Sequence, residues 1–161
     1  WAYSLSGGFT SPEFNSSIVT QNQPDGILLP EAELYLNARI APLFLSYYAF
    51  CLNESKYNVT LHFAEVVFRE TESYSQITRR TFDIYIQGNR VLRNFDIKKE
   101  ARGPDTPQIK NFLVDVNNSP LEISFYWTGK GYGPLISAIA ITPGNSKGYD
   151  FSFFWLVPSY T

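Results

Sequence analysis

The chain has 161 residues, enough for one ordinary domain that buries a genuine core without covalent staples. Its 13 basic and 15 acidic residues leave a formal charge of −2, which offers no electrostatic footprint for nucleic acid or an anionic membrane. At 17% aromatic, either the core or a binding surface must be rich in rings. Met is absent even at position 1, and no basic segment leads into an apolar signal-peptide core, so the chain reads as a piece of something longer. The longest apolar run, 151–157 broken only by Ser152, falls far short of the roughly 20 residues that span a bilayer.

Taken in order, the segment 30–40, "PEAELYLNARI", is the one stretch with a case for helix, and its short length and β-branched end weaken it. In "KYNVTLHFAEV" the apolar Tyr57, Val59, Leu61 and Phe63 alternate with Asn58, Thr60 and His62, the period of a half-buried strand. "TFDIYIQG" repeats the pattern with Phe82, Ile84 and Ile86 inward and Asp83, Tyr85 and Gln87 outward. Gly88-Asn89 follows as a two-residue hairpin signal, because both residues tolerate the positive φ of primed turns. Phe112, Val114 and Val116 alternate against Asn111, Leu113 and Asp115. Leu121, Ile123, Phe125 and Trp127 alternate against Glu122, Ser124 and Tyr126. "PLISAIAIT", from Pro134, is apolar on both parities and reads as a central strand covered on both faces. Proline and glycine gather between these runs, at 24–26, 103–107 and 129–134. Many short strands separated by turn signals predict an all-β antiparallel sandwich, with a jelly roll as one common wiring.

Asn-x-Ser/Thr sequons stand at Asn15, Asn53, Asn58 and Asn117, a modest excess that suggests the secretory pathway. Asn58 falls on the solvent parity of its strand, where a glycan fits. The lone Cys51 is either a buried free thiol or half of a bridge whose partner lies outside this sequence.

Catalytic readings fare poorly. His62 is the only imidazole, set between apolar residues, with no second His for a metal site. Glu65 and Asp83 are the obvious pair for glycoside hydrolysis. Against that, strand carboxylates commonly pair with arginine, and Arg69, Arg79 and Arg80 lie nearby. "GKGYG" (129–133) lacks the following helix of a phosphate loop and reads as a hairpin or binding loop. No cofactor or metal is implied. Aromatic rings with Asp and Asn suit the flat faces and hydroxyl edges of sugars, although for any single ring the core reading is the commoner one.

"WAYSLSGGF" (1–9), "ELYLNARIAPLFLSYYAFCL" (33–52), "YNVTLHFAEVVF" (57–68), "RRTFDIYIQGNRVLRNFDI" (79–97), "LEISFYWTGKG" (121–131) and "YGPLISAIAITP" (132–143) together resemble the malectin domain. More narrowly, they resemble the extracellular malectin domain of plant leucine-rich-repeat receptor-like kinases. The resemblance covers 1–143. It leaves 144–161 as a tail that either adds a substitute strand or is foreign to the domain. It implies a lectin-like sandwich outside the plasma membrane, non-catalytic itself, in a parent chain with a membrane span and a cytoplasmic Ser/Thr kinase. The implied ligand is a glucose-containing or cell-wall oligosaccharide, or else a peptide with a co-receptor.

By the resemblance, Tyr35 of "LYLNAR" and Phe68 of "FAEVVF" take ligand-contacting positions, and Tyr132 offers a further ring. Val67 stands where the animal lectin has a second stacking Tyr, and Tyr132-Gly133 stands where that lectin has an Asp. Recognition of its diglucose is therefore not carried over. The family's Cys-Gly-Gly motif is missing upstream, which implies the lost partner of Cys51. In the sandwich reading Phe63 faces the core, and Glu65 shares that face as a structural carboxylate bound to loop amides or an arginine. Phe68, at the strand's end, is where a binding ring emerges.

Overall fold

The computed structural model describes residues 2–7, 17–20, 32–68, 79–101, 106–117, 120–144 and 153–156. Twelve strands account for most of them: β1 (Ala2–Gly7), β2 (Ser17–Thr20), β3 (Asn37–Ile40), β4 (Phe44–Ala49), β5 (Ser55–Phe63), β6 (Arg80–Ile86), β7 (Asn89–Phe95), β8 (Gln108–Val116), β9 (Leu121–Gly131), β10 (Leu135–Ile136), β11 (Ala138–Pro143) and β12 (Phe153–Leu156). A 3-10 turn (Ala32–Tyr35) precedes β3, and one short helix, α1 (Ile97–Ala101), precedes β8. The strands form antiparallel sheets of order β1-β4-β9-β6-β7, β10-β3-β2 and β12-β11-β5-β8. The expected all-β sandwich is the fold observed.

The alternation explains why. On β5 Tyr57, Val59, Leu61 and Phe63 are buried while Lys56 and Asn58 are exposed. On β6 Phe82, Ile84 and Ile86 are buried, with Asp83 and Tyr85 only partly so. The two inner faces meet in rings: Phe63 of β5 packs at 4.8 Å from Phe95, 6.0 Å from Phe82 and 6.2 Å from Phe125. These tilted and edge-on contacts join the two larger sheets, and the core extends through Leu45, Val59, Leu61, Ile84, Ile123 and Ile139.

Three readings change in detail. The hairpin between β6 and β7 turns on Gln87-Gly88, one residue earlier than expected, with φ of 51° and 73° and Ile86 opposite Asn89. A glutamine tolerates that conformation because the strand beside it holds it: Gln87 N donates to Glu122 O at 2.9 Å, and Gln87 Oε1 accepts from Glu122 N at 3.1 Å. The expected single strand from Pro134 is buried on both faces but breaks at Ser137, so β10 pairs with β3 while β11 pairs with β5. Ser137 makes the corner, its N donating to His62 O at 2.9 Å and its Oγ accepting from Ala64 N at 3.2 Å. The helical case for 30–40 reduces to one 3-10 turn before β3.

Among the described residues the α-helix is α1, where Asp96 Oδ1 accepts from Lys99 N at 3.1 Å as an N-cap. In the tail, Phe153–Leu156 pairs with β11 as an added edge strand. Cys51 is exposed at φ 60°, which removes the buried-thiol reading. Asn15, Arg69 and the turn signals at 24–26 and 103–105 lie outside the described residues.

Candidate functional site

β5 ends at Phe63, and the chain stays buried through Ala64, Glu65 and Val66 before Val67 and Phe68 reach the surface. Glu65 organises that exit. Its Oε1 accepts from Val67 N at 3.1 Å and Phe68 N at 3.4 Å, while its Oε2 accepts from Arg80 Nε at 2.9 Å. The two charged side chains are 2% and 4% exposed, so this is a buried ion pair whose attraction must offset the loss of hydration of both charges. Arg80 offsets more of it by donating Nη1 to Gly133 O, tying the β5 exit, the start of β6 and the β9–β10 connection into one knot. Both alternatives expected for Glu65, loop amides and an arginine, are realised together.

Tyr132 is placed by glycines. Its N donates to Arg79 O at 2.8 Å, in a parallel bridge with Arg80. A Cβ at Gly131, which has φ 65°, would collide with the Arg79 carbonyl, and one at Gly133 would collide with the Ala41 and Pro42 carbonyls. The backbone on either side of Tyr132 is therefore clamped, and the residue itself is 46% exposed. The segment 129–131, expected as a hairpin or binding loop, is instead the end of β9, and Trp127 supports it, Nε1 donating to Lys130 O and Gly131 O at 3.2 Å each.

The result is a ring pair on a charged floor. Phe68 and Tyr132 lie 4.6 Å apart, tilted by 46°. The Arg80 guanidinium carbon lies 5.6 Å from the centre of the Phe68 ring, and Lys98 Nζ lies 5.9 Å from it. Lys98 arrives there because Asp96 caps α1 and also accepts from Arg79 Nε at 2.9 Å. Lys98 and Asp96 escaped sequence reasoning. An Asp before a five-residue helix is a cap signal, but a helix that short has no periodicity to announce it.

The structure thus brings Phe68 and Tyr132 together, while Tyr35 is buried behind the surface. Tyr35 is 1% exposed, its hydroxyl 2.9 Å from His62 Nδ1, and His62 is itself buried. Glu65 and Asp83, the hydrolytic pair considered above, do not face each other. Asp83 sits on the outer side of β6, accepting from Asn94 N at 2.7 Å and Arg90 Nη1 at 3.4 Å, while its neighbours Phe82 and Ile84 point into the core.

A sequence model of the malectin domain matches residues 6–139. Among curated proteins of Arabidopsis thaliana, the chain is 43% identical over 150 residues to the probable LRR receptor-like serine/threonine-protein kinase At1g29720. That match takes in 88% of this chain and 15% of the relative. It is 45% identical over 119 residues to the probable leucine-rich repeat receptor-like serine/threonine-protein kinase At3g14840, covering 68% of this chain and 12% of the relative. This chain therefore spans only a small part of these relatives.

Three solved structures share the fold. A Bacteroides uniformis β-glucuronidase matches with a TM-score of 0.61 and 21% identity, over 80% of this chain and 14% of that one. The ANX2 ectodomain from Arabidopsis thaliana gives 0.58 and 19%, over 86% and 39%. The complex of the plant peptide RALF23 with FER and LLG2 gives 0.57 and 19%, over 86% and 38%.

Proposed function

The chain belongs to the malectin domain family, and from that premise we propose that it is the extracellular ligand-sensing module of a plant receptor-like kinase. It binds cell-wall or glucose-containing oligosaccharides without catalysis, at the end of the sandwich that carries Phe68 and Tyr132. In this reading the domain stands on the outer face of the plasma membrane, reached by the secretory pathway, with the kinase beyond a membrane span. The observation that carries this reading is the ring pair. Two aromatic faces 4.6 Å apart, held by a buried ion pair and clamped glycines, give a sugar C–H face a preorganised surface at little entropic cost. Tyr35 acts in this reading as a positioning residue, packed on His62 at the same end of β5.

Titration of the folded domain with gluco-oligosaccharides of different linkage, by calorimetry and Trp fluorescence, tests it. Trp127 is a built-in reporter because its indole is bonded to the strand segment that leads into Tyr132. Saturable binding to one linkage class, lost in Tyr132→Ala and in Phe68→Ala, is the expected result. A folded protein that binds none of them moves the reading to a peptide ligand with a co-receptor. One observation favours that second reading: a structure sharing this fold is a complex of a plant peptide with two proteins.

A further inference from the structure

Sequons at positions 53, 58 and 117 are scattered in the sequence, but the pairing of β5 with β8 gathers them. Ser55 lies opposite Val116, so Asn53, two residues before β5, and Asn117, just after β8, stand at the same end of the sheet. Asn58 projects from the outer face of β5 directly opposite Leu113. All three asparagines are exposed. The ring pair lies past the other end of β5, which is about 26 Å away at roughly 3.3 Å per residue from Ser55 to Phe63.

Leu113 needs an explanation of its own. It is 60% exposed on the edge strand of its sheet, with Ile109 also exposed on the same outer face, and such an apolar edge is a template for unwanted pairing. The residue facing it across the strand is the acceptor of a sequon.

We propose that Asn53 and Asn117 carry N-glycans at the end of the sandwich remote from the ring pair, and that Asn58, midway along β5, carries a third that lies over Leu113. The inference rests on the secretory placement proposed above. The modification replaces one hydrogen on the carboxamide Nδ2 with a bond to the anomeric carbon of an oligosaccharide donated by a lipid diphosphate. The bond from that carbon to the diphosphate oxygen breaks, and lipid diphosphate and a proton leave. Because Thr60 of the Asn58 sequon is tied to Asn111 Oδ1 at 2.7 Å in the finished sheet, transfer to Asn58 precedes strand pairing. The exposed Asn58 then keeps the glycan outside the core.

The test expresses the full chain in plant cells and removes glycans enzymatically in heavy-oxygen water, so that each occupied Asn becomes a mass-labelled Asp. Label at 53, 58 and 117 is expected. Asn58→Gln and Thr60→Ala should each lose one glycan's mass and gain self-association, Thr60→Ser should do neither, and Leu113→Ser added to Asn58→Gln should suppress the self-association. Glycans elsewhere with Asn58 bare overturn this inference and leave the secretory reading standing. No glycan anywhere overturns both. Self-association in Asn58→Gln that Leu113→Ser does not relieve overturns the covering of Leu113.

Discussion

Phe63 and Glu65 stand two residues apart and are almost equally buried, yet they are held by different physics. Phe63 sits among Phe82, Phe95 and Phe125, where apolar area and ring edges do the stabilising and small changes of shape have graded consequences. Glu65 sits in a knot of charge and amide contacts, where geometry is directional and each partner needs the other. The ring core specifies that two sheets pack. The charged knot specifies where three chain segments end relative to one another, which is what a binding surface requires.

The largest effect should come from cutting the knot on one side. Arg80→Met leaves Glu65 buried without its countercharge and is expected to cost about 3–5 kcal/mol in urea unfolding. Adding Glu65→Gln, which removes the orphaned charge and keeps an acceptor for the Val67 and Phe68 amides, should recover much of that loss. A double variant no more stable than Arg80→Met would show that the unpaired buried charge is not what destabilises the single variant. Phe63→Ala should cost about 3–5 kcal/mol through lost apolar burial and the cavity left behind, with Phe63→Leu losing clearly less. A graded series there beside an all-or-none response at Arg80 is the expected contrast.

A smaller effect is tied to pH. Burial pushes the Tyr47 phenol up to about 12, against the opposing influence of Arg39. A raised pKa means that the native state holds the proton more tightly, so this contribution is fully present below about pH 10 and is lost as pH rises through about 12. The loss amounts to about 2–3 kcal/mol. Tyr47→Phe should flatten that alkaline limb of the stability profile. An unchanged limb in the variant would assign it to other groups.

The smallest effect on stability, within about 0.5 kcal/mol, is expected for Tyr132→Ala, since the residue lies at the surface, outside the core. Its effect on sugar binding should nonetheless reach about 2 kcal/mol, roughly 30-fold, because it forms half of the ring pair. Thermal melts beside calorimetry separate the two. A variant that melts early and still binds would reverse the assignment.

Much of the scaffold was legible because alternation is local. Whether Phe82 or Asp83 faces inward depends only on which parity is apolar, and the same rule located Glu65 on the buried side with arginines in reach. The hairpin was legible to within one residue, the shift to Gln87-Gly88 being set by the neighbouring Glu122 backbone rather than by turn propensity. Tyr35 shows where resemblance and packing part: matched to a ligand-contacting position, it is buried on His62.

Local alternation and charge were enough to imply an all-β sandwich, its inward residues, and a carboxylate that needed a partner. Tertiary structure alone decided that Phe68 meets Tyr132 across 64 positions of chain (132 minus 68), that Ser137 hands the strand from one sheet to another, and that α1 delivers Lys98 to the ring pair. It also gathered three scattered sequons onto one pair of neighbouring strands. The physical reason is the same in each case: periodicity is set within a strand, whereas register and proximity between distant strands are set only when the faces pack and the buried polar groups find their partners.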